Sequence, residues 1–166
     1  MKQAFAAWVA PTAAVLAEDR DEVLTFARSV PAEAWEQPSG VEEWMCKDLL
    51  AHLAGGNDQL LQIMLRKVAA GKRLEALLMD VDTDGENARR VAERRGWPVE
   101  RLIAELKADG EEVQELLSRL SEDDEQRRDR LPMTLGAFLQ VVRHERHDME
   151  HFRQLRAALG SPPTPL

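Results

Sequence analysis

Leu102, Leu106, Val113, Leu117 and Leu120 follow one another at spacings of four, seven, four and three residues. Residues so spaced share one face of an α-helix, and no strand register can collect them. The rest of the chain agrees. Tyrosine is absent, runs of alternating Val, Ile and Thr are missing, and helix-forming residues dominate. Four long helical segments are expected, at about residues 11–29, 45–70, 98–120 and 134–159. Pro31 closes the first, Pro98 suits the first turn of the third, Thr134 is a fair N-cap for the fourth, and Gly160 and Pro162 end it. Residues 71–95 read as a turn at Asp80–Gly85 and a short extra helix at 86–95. The expected architecture is all-α: an antiparallel four-helix bundle with a short extra helix between helices two and three. Residues 1–160 are expected to form one domain and 161–166 a flexible tail.

Charge and cysteine content narrow the function. The formal net charge of the 166 residues is −8, which disfavours a nucleic-acid or anionic-membrane partner. No apolar run reaches the length of a membrane span, and the N-terminus reads as a helix rather than a signal peptide. The single cysteine, Cys46, excludes an intrachain disulfide. A cytoplasmic location is expected. Cys46 makes a poor nucleophile candidate, six residues before His52 and on another face.

Three of the four histidines, His144, His147 and His151, fall within eight residues. On one continuous helix they occupy an arc of roughly 120–180° that overlaps the apolar residues Val141, Phe152 and Leu155. Imidazole is the commonest protein ligand for zinc, nickel and copper. His147 and His151 have the i, i+4 spacing of helical metal sites, His144 and His147 the less usual i, i+3. His144 and His151 lie about 10 Å apart along the axis, too far to share an ion easily. His147 is thus the first candidate ligand and His151 the second. His52 stands upstream, one turn after Asp48, whose carboxylate could accept a ring N–H. Gly55 and Gly56 follow, serving either close packing or space beside His52, and Gln59 is placed to line such a pocket. The competing reading makes the histidines hydrogen-bonded core residues or complements to the negative pole of a helix.

The run Trp44-Met45-Cys46-Lys47-Asp48-Leu49-Leu50-Ala51-His52-Leu53-Ala54-Gly55 resembles the W-[ST]-x-K-D-L-L-A-H-L-A-G segment of DinB-like proteins, which include the N-terminal domain of mycothiol-dependent maleylpyruvate isomerase. The run from His147 to Leu155 resembles their H-x-x-x-H-x-x-Q-[IL] helix, and residues 82–89 are similar to an interhelical segment of some members. The resemblance spans nearly the whole chain. It implies a four-helix bundle holding a divalent metal, zinc or nickel, with His52, His147 and His151 as ligands. His144 has no fixed role in that pattern and reads as pocket lining. Met45 stands where Ser or Thr commonly caps the helix, and a methionine cannot accept a backbone N–H.

Three protein ligands would leave a metal open for chemistry. The leading expectation is therefore a metal-dependent enzyme acting on a small molecule in detoxification or stress response. Its reaction would be thiol-dependent S-transfer or isomerisation, with a low-molecular-weight thiol as cosubstrate, or hydrolysis. The alternative is a non-catalytic bundle that binds metal or sequesters a ligand. Asp148, near the histidine arc, is a candidate base, ligand-orienting group or arginine partner. A homodimer is expected, as is common for such bundles.

Overall fold

A computed structural model describes residues 4–55, 58–75 and 83–160, with the backbone alone at 58, 59, 83, 84 and 147. Among these residues the regular structure is helical: α1 (Ala10–Ser29), α2 (Cys46–Gly55), α3 (Asp58–Ala69), α4 (Thr83–Arg94), α5 (Val99–Ser118), α6 (Leu135–Glu145) and α7 (His147–Leu159). Short 3-10 turns lie at Ala32–Glu36 and Glu122–Asp124. No strand forms there beyond two isolated bridges, Pro38 with Met45 and Glu75 with Arg130. No described helix is long and apolar enough to cross a membrane.

The expected first and third helices match α1 and α5 to within two residues at each end, with Pro98 just outside α5 as its N-cap. The extra helix is α4 and starts earlier than expected. Thr134 caps α6, accepting the Ala137 N–H at 3.2 Å. Two expected helices differ. The second is described as α2 and α3, with residues 56–57 outside the described structure. The fourth is not continuous: Arg146 takes a left-handed conformation, φ 41° and ψ 48°, and separates α6 from α7. A wheel drawn through 134–159 as one helix therefore misphases its two halves.

The core falls into two groups of buried side chains. One gathers Phe26, Trp35, Leu49, Leu50, Leu102, Leu106, Phe152 and Leu155 from α1, the first 3-10 turn, α2, α5 and α7. Phe26 and Phe152 meet edge-to-face there with centroids 5.3 Å apart. The other gathers Ala13, Leu61, Leu65, Val113, Leu117, Leu135 and Leu139 from α1, α3, α5 and α6. Helices α1 and α5 pack along each other and serve both groups. Helices α2 and α7 pair in the first, while α6 packs on α1 in the second.

Charged side chains lie between the two groups. Arg146 Nε donates to Asp19 Oδ2 at 3.0 Å and its Nη2 to Oδ1, and Asp19 is buried. Arg20 Nη2 lies 3.7 Å from Asp148 Oδ2. Gly110 on α5 lets Arg20 cross, since a Cβ there would stand 2.8 Å from Arg20 Cγ. Arg94 spans α4 and α5 with two 2.8 Å bonds to Glu105.

Asp109, on α5, has its carboxyl pushed above the usual aspartate range, first by burial and then by Glu105, with Arg20 opposing. An acid whose folded pKa is raised opposes folding when ionised, and that cost disappears as pH falls through the folded pKa. Asp109→Asn is therefore expected to raise the thermal midpoint at pH 7. The advantage should vanish below the usual aspartate range, which thermal melts across about pH 3–8 would check.

Candidate functional site

Helix α2 carries the first candidate residue. Its N-terminus is built around Asp48, which accepts the Met45 N–H at 3.1 Å. This is the reciprocal half of a capping box: the acid at N3 satisfies the N-cap N–H although Met45 cannot return the bond. The same carboxylate takes Arg95 Nε at 3.0 Å and Nη2 at 3.4 Å. Asp48 is thus occupied at the head of α2 and against the α4–α5 connection. Cys46, fully buried, donates to the Pro38 carbonyl at 3.8 Å. Burial pushes its thiol up, partly offset by a backbone hydrogen bond, the opposite of an activated nucleophile.

His52 lies one turn further and is 1% exposed. Trp44 stacks obliquely on its ring at 5.3 Å between centroids. The His151 ring, from α7, stands edge-on to it at 4.6 Å, with planes 86° apart. The pairing of α2 with α7 brings these two sequence-distant imidazoles together. His151 Nδ1 lies 2.9 Å from Gln154 Oε1. A hydrogen bond to this carbonyl oxygen places the proton on Nδ1 and leaves the lone pair on Nε2, a tautomer that suits nitrogen ligation. Gln154 is the glutamine of the H-x-x-x-H-x-x-Q-[IL] run, where the sequence assigned it no role, and its i+3 position from His151 puts it on the same face.

The remaining candidates are placed as follows. His147 opens α7 one turn before His151, and its side chain lies outside the described residues. His144 belongs to α6, is exposed, and bonds through Nδ1 to the Gln140 carbonyl of its own helix at 2.7 Å. Asp148 is the partner of Arg20. Gly55 serves close packing: a Cβ there would overlap the Arg94 guanidinium. Gly56 and the side chain of Gln59 lie outside the described residues. Among the described side chains no group of three or more His, Cys, Asp or Glu gathers around one point.

Two hollows flank these elements. One, of about 390 Å³, is walled by apolar residues including Leu16, Leu61, Phe138 and Met149, together with both crossed ion pairs. Neither His52 nor His151 lines it. The other, of about 560 Å³, is an open groove of Glu36, Glu42, Glu43, Trp44, Lys47 and Arg95 over the head of α2. Trp44 is the side chain shared by this groove and the His52 contact.

The histidine pair fits the chemistry of a divalent transition metal: two imidazoles from facing helices, one with its tautomer set by a neighbouring amide. Cys46 is expected to resist aromatic disulfide reagents in the native protein and to react fully once unfolded. Thiol titration with and without denaturant measures both.

A model of the mycothiol maleylpyruvate isomerase N-terminal domain family matches residues 16–151. No curated protein and no solved structure matches the chain significantly.

Proposed function

Because the chain belongs to the mycothiol maleylpyruvate isomerase N-terminal domain family, within the DinB-like superfamily, we propose that it is a metal-dependent enzyme of that kind, acting on a small molecule with a low-molecular-weight thiol as cosubstrate. In this reading α1, α2 with α3, α5, and α6 with α7 are the four rods of an antiparallel bundle. His52, His147 and His151 hold one divalent zinc or nickel ion.

The observation that carries the reading is the edge-on approach of His52 and His151 across α2 and α7 at 4.6 Å, with the His151 tautomer set by Gln154. His147 shares α7 with His151 at i, i+4, a spacing that lets two imidazoles reach one ion from a single helix. A divalent metal held there supplies Lewis acidity and lowers the pKa of a thiol or water that binds to it. The chain's own residues do the rest. Gln154 holds the His151 ring in one orientation, and Trp44 covers the His52 ring and keeps water from that side. Asp48, through Met45 and Arg95, anchors the start of the helix that presents His52. The apolar surroundings strengthen electrostatic contacts made inside the site. Detoxification of an electrophile by S-transfer or isomerisation is the leading reaction class, with hydrolysis the other.

Purified without a histidine tag and reconstituted with zinc or nickel, the protein is expected to retain about one equivalent of metal, as three-ligand sites do. His52→Ala and His151→Ala should lose it, while His144→Ala should not. Metal analysis by mass spectrometry decides this, and a parent that stays metal-free after reconstitution sinks the reading. Gln154→Ala should keep the fold but weaken zinc binding roughly 10–100-fold, the usual effect of removing a group that orients a ligating histidine. Chelator competition measures that loss.

A further inference from the structure

The chain passes from α6 to α7 through Arg146 alone, at φ 41° and ψ 48°. Side chains with a Cβ are disfavoured in this left-handed region, and neither glycine nor asparagine stands here to ease it. Such a residue persists where its surroundings over-determine it. Two consecutive residues of α1 supply those surroundings. Asp19 binds the Arg146 guanidinium through Nε and Nη2, with Nε at 3.0 Å. Arg20 reaches Asp148, two residues further along, at 3.7 Å. The signs cross: acid then base on α1, base then acid at the junction. No one-residue slip satisfies both pairs.

The junction has a consequence for the histidines. Helix α6 packs on α1, whereas α7 packs on α2. An unbroken helix would carry His144 and His151 on one stripe. With the left-handed residue between them, His144 bonds to the Gln140 carbonyl and His151 meets His52 across the α2–α7 contact.

We propose that the crossed pairs Asp19–Arg146 and Arg20–Asp148 form a positioning device that holds the left-handed α6–α7 junction and thereby sets His151 against His52. Asp19 and Arg146 are positioning residues and touch neither ring. The proposal rests on the metal reading only where zinc affinity is the readout, because the cross-peak reports the ring contact directly.

The test uses the full chain with Asp19→Asn, Arg146→Ala and Arg146→Gly. Each variant is measured three ways: the nuclear Overhauser cross-peak between the His52 and His151 ring protons in metal-free protein, zinc affinity by chelator competition, and the thermal midpoint. Asp19→Asn and Arg146→Ala are expected to stay folded, to lose the cross-peak and to bind zinc at least about tenfold more weakly, as displaced ligands do. Glycine adopts the left-handed conformation without steric cost. Arg146→Gly should therefore recover the cross-peak and come within about threefold of the parental affinity. A purely stabilising role would lower the midpoint in all three and leave ring contact and affinity unchanged, which overturns the proposal. So does an Arg146→Gly variant as impaired as Arg146→Ala. If Arg146→Ala does not fold, the nearly isosteric Asp19→Asn decides alone. If the parent binds no zinc, the metal reading fails and the cross-peak by itself decides the junction.

Discussion

Asp19 and Arg20, adjacent in the middle of α1, place opposite charges where the helix crosses α5 and approaches the α6–α7 junction. Asp19 is buried, and a charge taken out of water is costly to leave unpaired. The partners must therefore come to them. Arg146 and Asp148 do so from the junction, and α5 accommodates Arg20 by having glycine at position 110. The apolar side chains divide on either side of this charged layer into two cores. A layer of this kind adds little net stability against a well-packed apolar alternative.

The candidate site belongs to one of those cores. His52 is enclosed by the side chains that pack α2 against α7, and its two aromatic neighbours, Trp44 and His151, approach from different elements. The head of α2 is held by a carboxylate with three donors, one from the backbone and two from Arg95. Asp48 thus orients His52 through the helix that carries it. The largely apolar hollow lies elsewhere, beside the crossed ion pairs. The open groove sets Glu36, Glu42, Glu43 and Asp48 beside Lys47 and Arg95, and it shares Trp44 with the His52 contact.

Much of the helical order was legible locally. The leucine stripe of α5, the proline ahead of it and the Thr134 cap are short-range signals, and they mark real boundaries because cap and stripe energies act within a turn or two. The DinB-like motifs likewise pointed to His52 and His151, whose rings come together. Arg146 carried no such signal. Left-handed residues are legible when they are glycine or asparagine, and here an arginine takes the conformation with help from a carboxylate 127 positions away. The expected stripe of three histidines consequently broke at a place the local sequence does not mark. Gly55 had two possible uses, and the approach of Arg94 from α4 selects packing.

By itself, then, the sequence determined that this chain is helical, where most of its helices begin and end, which family it belongs to, and which imidazoles were worth watching. Those properties follow from periodicity, capping and motif spacing, all of which act over a few residues. Tertiary structure decided the break in the last helix, the turning away of His144, the assignment of Asp48 and Asp148 to arginine partners, and the service of Gln154 to His151. All but the last depend on charges and packing surfaces distant in sequence. Long-range pairing of buried charge has no local signature, because either partner alone looks like an ordinary surface residue.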